Sequence, residues 1–133
     1  MKKFYITTAI DYVNSKPHLG TAYEKIGADV IARYMRLNGV ETFLLMGNDE
    51  HSLNVQRSAE KSGLDPMEYC DQMEVEFRAV WDSLNISYDG FVRTTDRNHK
   101  LSVTRFIERI AEAGDIYEGF YEGWYCVSCE AFK

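Results

Sequence analysis

The sequence predicts an α/β fold built on a mostly parallel sheet, and three observations predict it. Runs rich in β-branched and aromatic residues, residues 4–10, 40–46 and 91–93, alternate with longer segments of helical period. The run from Val40 to Met46 is almost continuously apolar, as a strand covered on both faces should be. A Pro17-His18-Leu19-Gly20 segment stands where the first strand gives way to the first helix, the place where α/β sheets bind ligand. Strand–helix alternation of this kind implies right-handed crossovers.

Each element has a local reason. Phe4-Tyr5-Ile6-Thr7-Thr8-Ala9-Ile10 reads as one buried strand. The first helix runs from about Gly20 to Asn38, with Ala22, Ile26, Val30, Tyr34 and Leu37 at helical spacing and Asn38-Gly39 suited to a left-handed end. Ser52 to Ser62 reads as a helix closed by Gly63. Asp65-Pro66-Met67-Glu68 is the clearest helix start: Asp65 caps, Pro66 suits the first turn, and Glu68 stands at a capping-box position. Cys70, Met73, Phe77, Trp81 and Leu84 then share one face, a pattern of core packing with Cys70 as an inert buried thiol. Phe91-Val92-Arg93 reads as a short strand, followed by a helix over about Arg97–Ala113 with Leu101, Phe106, Ile107 and Ile110 as its apolar positions and Gly114 after it. His99, in its first turn, reads as solvated or locally bonded. Beyond Asp115 aromatic and small residues crowd together without helical period.

Composition narrows the function classes. A length of 133 residues with 45% apolar content suits one modest domain with a core. No stretch approaches the roughly 20 apolar residues that span a bilayer. Met1-Lys2-Lys3 ahead of an apolar run resembles a secretion signal only faintly, because Thr7-Thr8 and Asp11 interrupt it and no small-residue cleavage site follows. Three cysteines, one alone and two close together, point to a reducing compartment and hence the cytoplasm. The net charge of −6 and the lack of a basic block give no support for a nucleic-acid-gripping face in this stretch.

The chemistry gathers at two loops and one cysteine pair. Gly20 lets a phosphate approach the backbone, the helix N-terminus supplies N–H groups and partial positive charge, and His18 can donate to phosphate oxygens as they gain charge. On the residues alone the same segment also fits a turn carrying a surface histidine. Asp49, after the second strand, lies beside the first junction in doubly wound geometry. Its residues alone fit either a helix N-cap or a carboxylate that pairs with a substrate cation. Cys126-x-x-Cys129 has the spacing of half a zinc site, which two cysteines alone do not establish.

Thr7 through Thr21 resembles the HIGH-signature segment of class I aminoacyl-tRNA synthetases, and more narrowly that of the methionyl-type enzymes. Gly47-Asn48-Asp49-Glu50-His51, Asp115-Ile116-Tyr117-Glu118-Gly119 and Tyr121 through Glu130 match the same family independently and in family order. The resemblance covers essentially the whole chain. It implies the first half of a Rossmann-like catalytic domain over residues 1–115, running into a truncated zinc-knuckle connective insertion over 116–133.

The activity implied is ATP-dependent joining of methionine to tRNA through a methionyl-adenylate, with ATP–Mg2+ as substrate. His18 and Thr21 take the catalytic signature positions, Thr21 standing where the family often has a second histidine. Gly20 joins them for ATP, with Glu24 a further candidate for nucleotide contact. Tyr12, with the backbone of Ala9 and Ile10, matches the methionine pocket, and Asp49 the partner of the α-ammonium group. A polarisable thioether suits an aromatic-lined pocket.

Cys126 and Cys129 would be two ligands of a zinc ion whose others lie outside this sequence. No counterpart of the lysine-rich KMSKS loop is found, so the expectation is an N-terminal fragment, inactive alone, whose tRNA contacts lie mainly elsewhere and which has no membrane association. Asp11 stands where relatives favour proline or an uncharged residue, and Ser52 where many have glycine. Another class I synthetase, a small HxGH-type nucleotidyltransferase and a zinc-dependent nucleic-acid adaptor are the competing readings.

Overall fold

The computed structural model describes residues 2–133, which fall into two compact units meeting at Thr94 and Thr95. The first contains β1 (Lys3–Thr7), β2 (Asp11–Tyr12), α1 (Leu19–Leu37), β3 (Glu41–Asp49), α2 (Leu53–Ser62), α3 (Pro66–Ser83) and β4 (Gly90–Arg93). The second contains α4 (Arg97–Glu112), β5 (Tyr125–Cys126) and β6 (Ala131–Phe132). The α/β class and the parallel sheet read from the sequence hold: β1, β2 and β4 all pair with β3 in parallel.

β3 is the central strand, with β1 and β2 along one edge and β4 along the other. The single strand expected over residues 4–10 is interrupted. Thr7 pairs with Leu45 and Asp11 with Asn48, so four steps along the first edge match three along β3. That extra residue is a bulge, a device that re-aims side chains where sheets meet their sites. Its physical cause is at Ala9, whose N–H and C=O are both taken by side chains of α1.

The two faces of the sheet differ. Leu44 and Met46 of β3 are buried on one face, in a core with Val13, Val55, Phe77 and Trp81. Phe43 and Asp49 point to the other, where Tyr5 and Phe43, partners in register, stack with centroids 6.0 Å apart and stay exposed. Gly47 also belongs to this face, and only glycine fits there: a Cβ would lie 2.2 Å from the Val92 carbonyl oxygen of β4.

Helix ends follow the sequence closely. Gly39, just past α1, has φ 71°, and Asp65 caps α3 by accepting from Met67 N–H at 2.8 Å. The stripe of α3 packs as read, with Cys70, Met73, Phe77 and Trp81 buried, while Leu84 at its end is exposed. Burial pushes the Cys70 thiol up to about 11, which fits an unreactive group.

α1 inverts the expected pattern. Ile26, Val30, Tyr34 and Leu37 are exposed, and the residues turned inward are Lys25, Ala28, Asp29 and Ala32. Small alanines bring the helix close to the sheet, and the two charged residues are each paired. Asp29 accepts from Ser87 N–H at 2.8 Å and from Arg33 Nε at 2.6 Å. In the second unit no residue of α4 is buried, and Leu101, Phe106 and Ile107 are exposed. The β5–β6 hairpin is held by Tyr121 and Tyr125 packing edge-on against Phe132. Among the described residues no helix is long and apolar enough to cross a membrane.

Candidate active site

His18 is the N-cap of α1, and the local sequence explains its pose. Its ring Nδ1 accepts from Gly20 N–H at 3.1 Å, while Thr21 Oγ1 accepts from His18 N–H at 3.1 Å and donates to His18 O at 2.8 Å. This is a capping box with histidine in the serine position. A neutral imidazole that accepts at Nδ1 carries its proton at Nε2, so the ring presents an N–H donor away from the helix. Gly20 lies directly under the ring, where a Cβ would stand 3.0 Å from His18 Cε1. The Gly20 N–H and the Thr21 hydroxyl proton are therefore both used inside the cap, and the outward donor is His18 itself.

A cleft of about 270 Å3 opens beside the cap, lined by Ile10, Tyr12, Pro17, His18, Thr21 and Phe77 among others. The bulge at Ala9 puts Ile10 and Tyr12 at its edge, both partly open to solvent. Tyr12 pairs in register with Asp49 across β2 and β3, so the two side chains leave the same face of the sheet. Tyr12 and His18 thus line one cleft, and Asp49 leaves the sheet on the face of Tyr12, at the C-terminal ends of parallel strands.

Asp49 is not the cap of α2. That role belongs to Ser52, whose Oγ accepts from Val55 N–H at 3.1 Å. Asp49 Oδ1 accepts a long bond of 3.3 Å from His51 N–H. The carboxylate is thereby aimed without being absorbed by the helix.

Two charged networks lie on the opposite face, and the sequence reading identified neither. Lys25 Nζ sits 3.1 Å from Asp11 Oδ1 and 3.0 Å from Oδ2, and 3.1 Å from Glu24 Oε2. Burial raises the Asp11 carboxyl above its ordinary range, against the pull of Lys25. Burial also works to raise Glu24, but the Ala9 N–H and Lys25 together hold it below the ordinary carboxylate value. Glu24, a candidate for nucleotide contact from the sequence, has its two oxygens directed at Ala9 N–H and Lys25.

The second network fixes the loop after β3. Arg93 at the end of β4 donates from Nε to Glu50 Oε1 at 2.7 Å and from Nη1 to Glu74 Oε2 at 2.9 Å, with Asp71 at 2.7 Å. Burial works to lower the Arg93 value, but the Glu50 and Asp71 carboxylates outweigh it and raise it further above its ordinary range. Thr94 Oγ1 accepts from Glu50 N–H at 2.9 Å and meets His51 Nδ1 at 3.1 Å. The signal in the sequence was an arginine at the C-terminal end of a strand beside an acidic loop, legible only once the strand order is known.

In the second unit Cys126 Sγ accepts from Cys129 N–H at 3.4 Å. Hydrogen bonding from Cys129 lowers the Cys126 thiol below its ordinary value, the direction a metal-binding thiolate needs. The Cys-x-x-Cys spacing is that of two ligands in a four-ligand zinc site. Among the described residues no group of three or more ligating side chains gathers around it.

Residues 4–133 match the family described as tRNA synthetases class I (M). The chain belongs to this family. Among class I synthetases of this type, methionine--tRNA ligase of Thermotoga maritima is 51% identical over 130 residues, 98% of this chain and 21% of its own length. That of Nostoc sp. is 50% identical over 99% of this chain and 25% of its own. A solved structure of Mycobacterium tuberculosis methionyl-tRNA synthetase in complex with methionyl-adenylate superposes with a TM-score of 0.95 at 42% identity, covering all of this chain and 26% of that one. The chain thus spans about a fifth to a quarter of the synthetases it matches. The match also bears out the Rossmann-like catalytic fold implied by the HIGH-type segment.

Proposed function

We propose that this chain is the HIGH-bearing part of the catalytic domain of a methionine--tRNA ligase in the cytoplasm. In this reading the ligase activates methionine with ATP–Mg2+ to methionyl-adenylate and transfers it to tRNA. The observation that carries the reading is the likeness, over all of this chain, to a synthetase that holds methionyl-adenylate. The site geometry supports it. Attack of the methionine carboxylate on the α-phosphate needs no general base, only alignment and relief of charge. His18 Nε2–H donates to the phosphoryl oxygens as pyrophosphate leaves, Gly20 allows the close approach, and Thr21 holds His18 in place. Tyr12 takes the thioether side chain, the backbone of Ala9 and Ile10 meets the substrate, and Asp49 takes the α-ammonium. Residues 1–115 supply this half of the nucleotide-binding domain. Residues 116–133 begin a connective insertion in which Cys126 and Cys129 would be two of four zinc ligands, a structural role. The tRNA is held mainly by parts of the ligase outside this segment.

The test is amino-acid-dependent exchange of pyrophosphate into ATP, measured with each of the twenty amino acids on the full ligase. Methionine should stimulate it and the segment alone should not support it. Stimulation by leucine or cysteine instead of methionine would overturn the assignment.

Asp49→Asn should weaken methionine binding about ten- to a hundredfold, the worth of roughly 1.5–3 kcal/mol for a charge-assisted contact. A methionine analogue lacking the α-amino group should be nearly indifferent to the change. Equal weakening of both ligands would mean that Asp49 holds the loop rather than the ammonium.

A further inference from the structure

We propose that Lys25, together with Asp11 and Glu24, is a positioning device that sets the backbone of Ala9 and Ile10 for the amino-acid substrate. The proposal rests on the reading above, in which those backbone positions meet methionine.

The geometry is specific to one residue. Ala9 sits in the bulge between β1 and β2, where the chain leaves the regular register with β3. Its N–H donates to Glu24 Oε1 at 2.7 Å and its C=O accepts from Lys25 Nζ at 2.8 Å. Consecutive residues of α1 thus hold both backbone polar groups of one residue. The side chain of Lys25 is wholly buried and that of Asp11 nearly so. A lysine removed from water is expensive unless paired and fully hydrogen-bonded, and here three acceptors surround it. Asp11 closes the loop: it is anchored by register to Asn48, next to Asp49, and holds Lys25 from the sheet side. The bulge is thereby tied to the same strand end that carries Asp49.

Lys25 is 16 residues from Ala9 and does not itself line the cleft; it acts through Ala9 and through Asp11, which does line it. Misplacing a peptide unit in a substrate pocket by a fraction of an ångström raises KM for the ligand it contacts. The nucleotide side of the site, set by the His18 cap, should be spared.

The experiment separates positioning from stability in the full ligase. Lys25→Met leaves the Asp11 carboxylate buried without its cation and should both destabilise the protein and raise KM for methionine about tenfold. Adding Asp11→Asn removes the unpaired charge. The double variant should regain most of the melting temperature yet keep the raised KM for methionine, with KM for ATP within about twofold of native. Recovery of the native KM along with stability would overturn the proposal, and so would a parallel rise in KM for ATP. If the double variant fails to fold, Asp11→Asn alone decides, since it keeps the shape of the side chain: KM for methionine should rise about threefold, and an unchanged value overturns the proposal. The native ligase is the control for the underlying reading. Exchange driven by another amino acid would overturn the methionine assignment, and the same KM split measured with that amino acid would still decide the role of Lys25.

Discussion

His18→Ala in the full ligase is expected to slow methionine activation on the order of a hundredfold or more, with little change in KM for methionine. The reason lies in the hydrogen-bond pattern of the cap. Nδ1 is committed to Gly20 N–H, which fixes the ring and leaves Nε2–H as a donor of set direction. A donor held ready for charge that develops only in the transition state contributes there and not in the ground state. The substitution also removes the side-chain acceptor from Gly20, and the cap itself contributes about 1 kcal/mol to the helix. His18→Asn separates the two effects, because asparagine caps well and its carboxamide cannot reach as far as the imidazole. It should restore the melting temperature and leave the rate low. Single-turnover formation of adenylate is the measurement. A normal rate with only weaker methionine binding would show that His18 does not act on the transition state.

Arg93→Leu is expected to cost about 3–5 kcal/mol of stability in the catalytic domain. Glu50, whose side chain is fully buried, would be left without the guanidinium that neutralises it. In a domain of this size the loss corresponds to a fall in melting temperature on the order of 10 °C. Catalysis should suffer as well, because the Asp49–His51 segment loses an anchor, Thr94 being another. Combining Arg93→Leu with Glu50→Gln should recover a large part of the stability, since a buried amide costs far less than a buried charge. Thermal melts of the two variants against the native protein check this. A loss below about 1 kcal/mol for Arg93→Leu alone would show that Glu50 finds other support.

Much of this was legible in the sequence where the cause is local. Asp65-Pro66 starts a helix and Gly39 ends one because caps depend on residues three or four positions apart. The α3 stripe was legible for the same reason. The face of α1 was not: its apolar stripe is conspicuous, but the helix turns Lys25 and Asp29 inward because their partners lie on other elements. Arg93 and Glu50 are 43 residues apart, and only the register of parallel strands brings them together. Asp11, unexplained from the sequence, acquires a reason only when Lys25 faces it. Asp49 shows the opposite case. Two readings were open on its residues, and the structure gives the cap of α2 to Ser52.

The burial of both charged networks bears on how the site responds to ionic strength. Mobile ions weaken interactions between exposed charges separated by more than roughly 8 Å at physiological salt, and weaken buried pairs far less. Lys25–Asp11 and Arg93–Glu50 lie beyond the reach of those ions, so the backbone at Ala9 and the loop bearing Asp49 keep their geometry as salt varies. Attraction between surface cations and a long polyphosphate has no such shelter. The geometry around Ala9 and Asp49 rests instead on electrostatics that mobile ions weaken little.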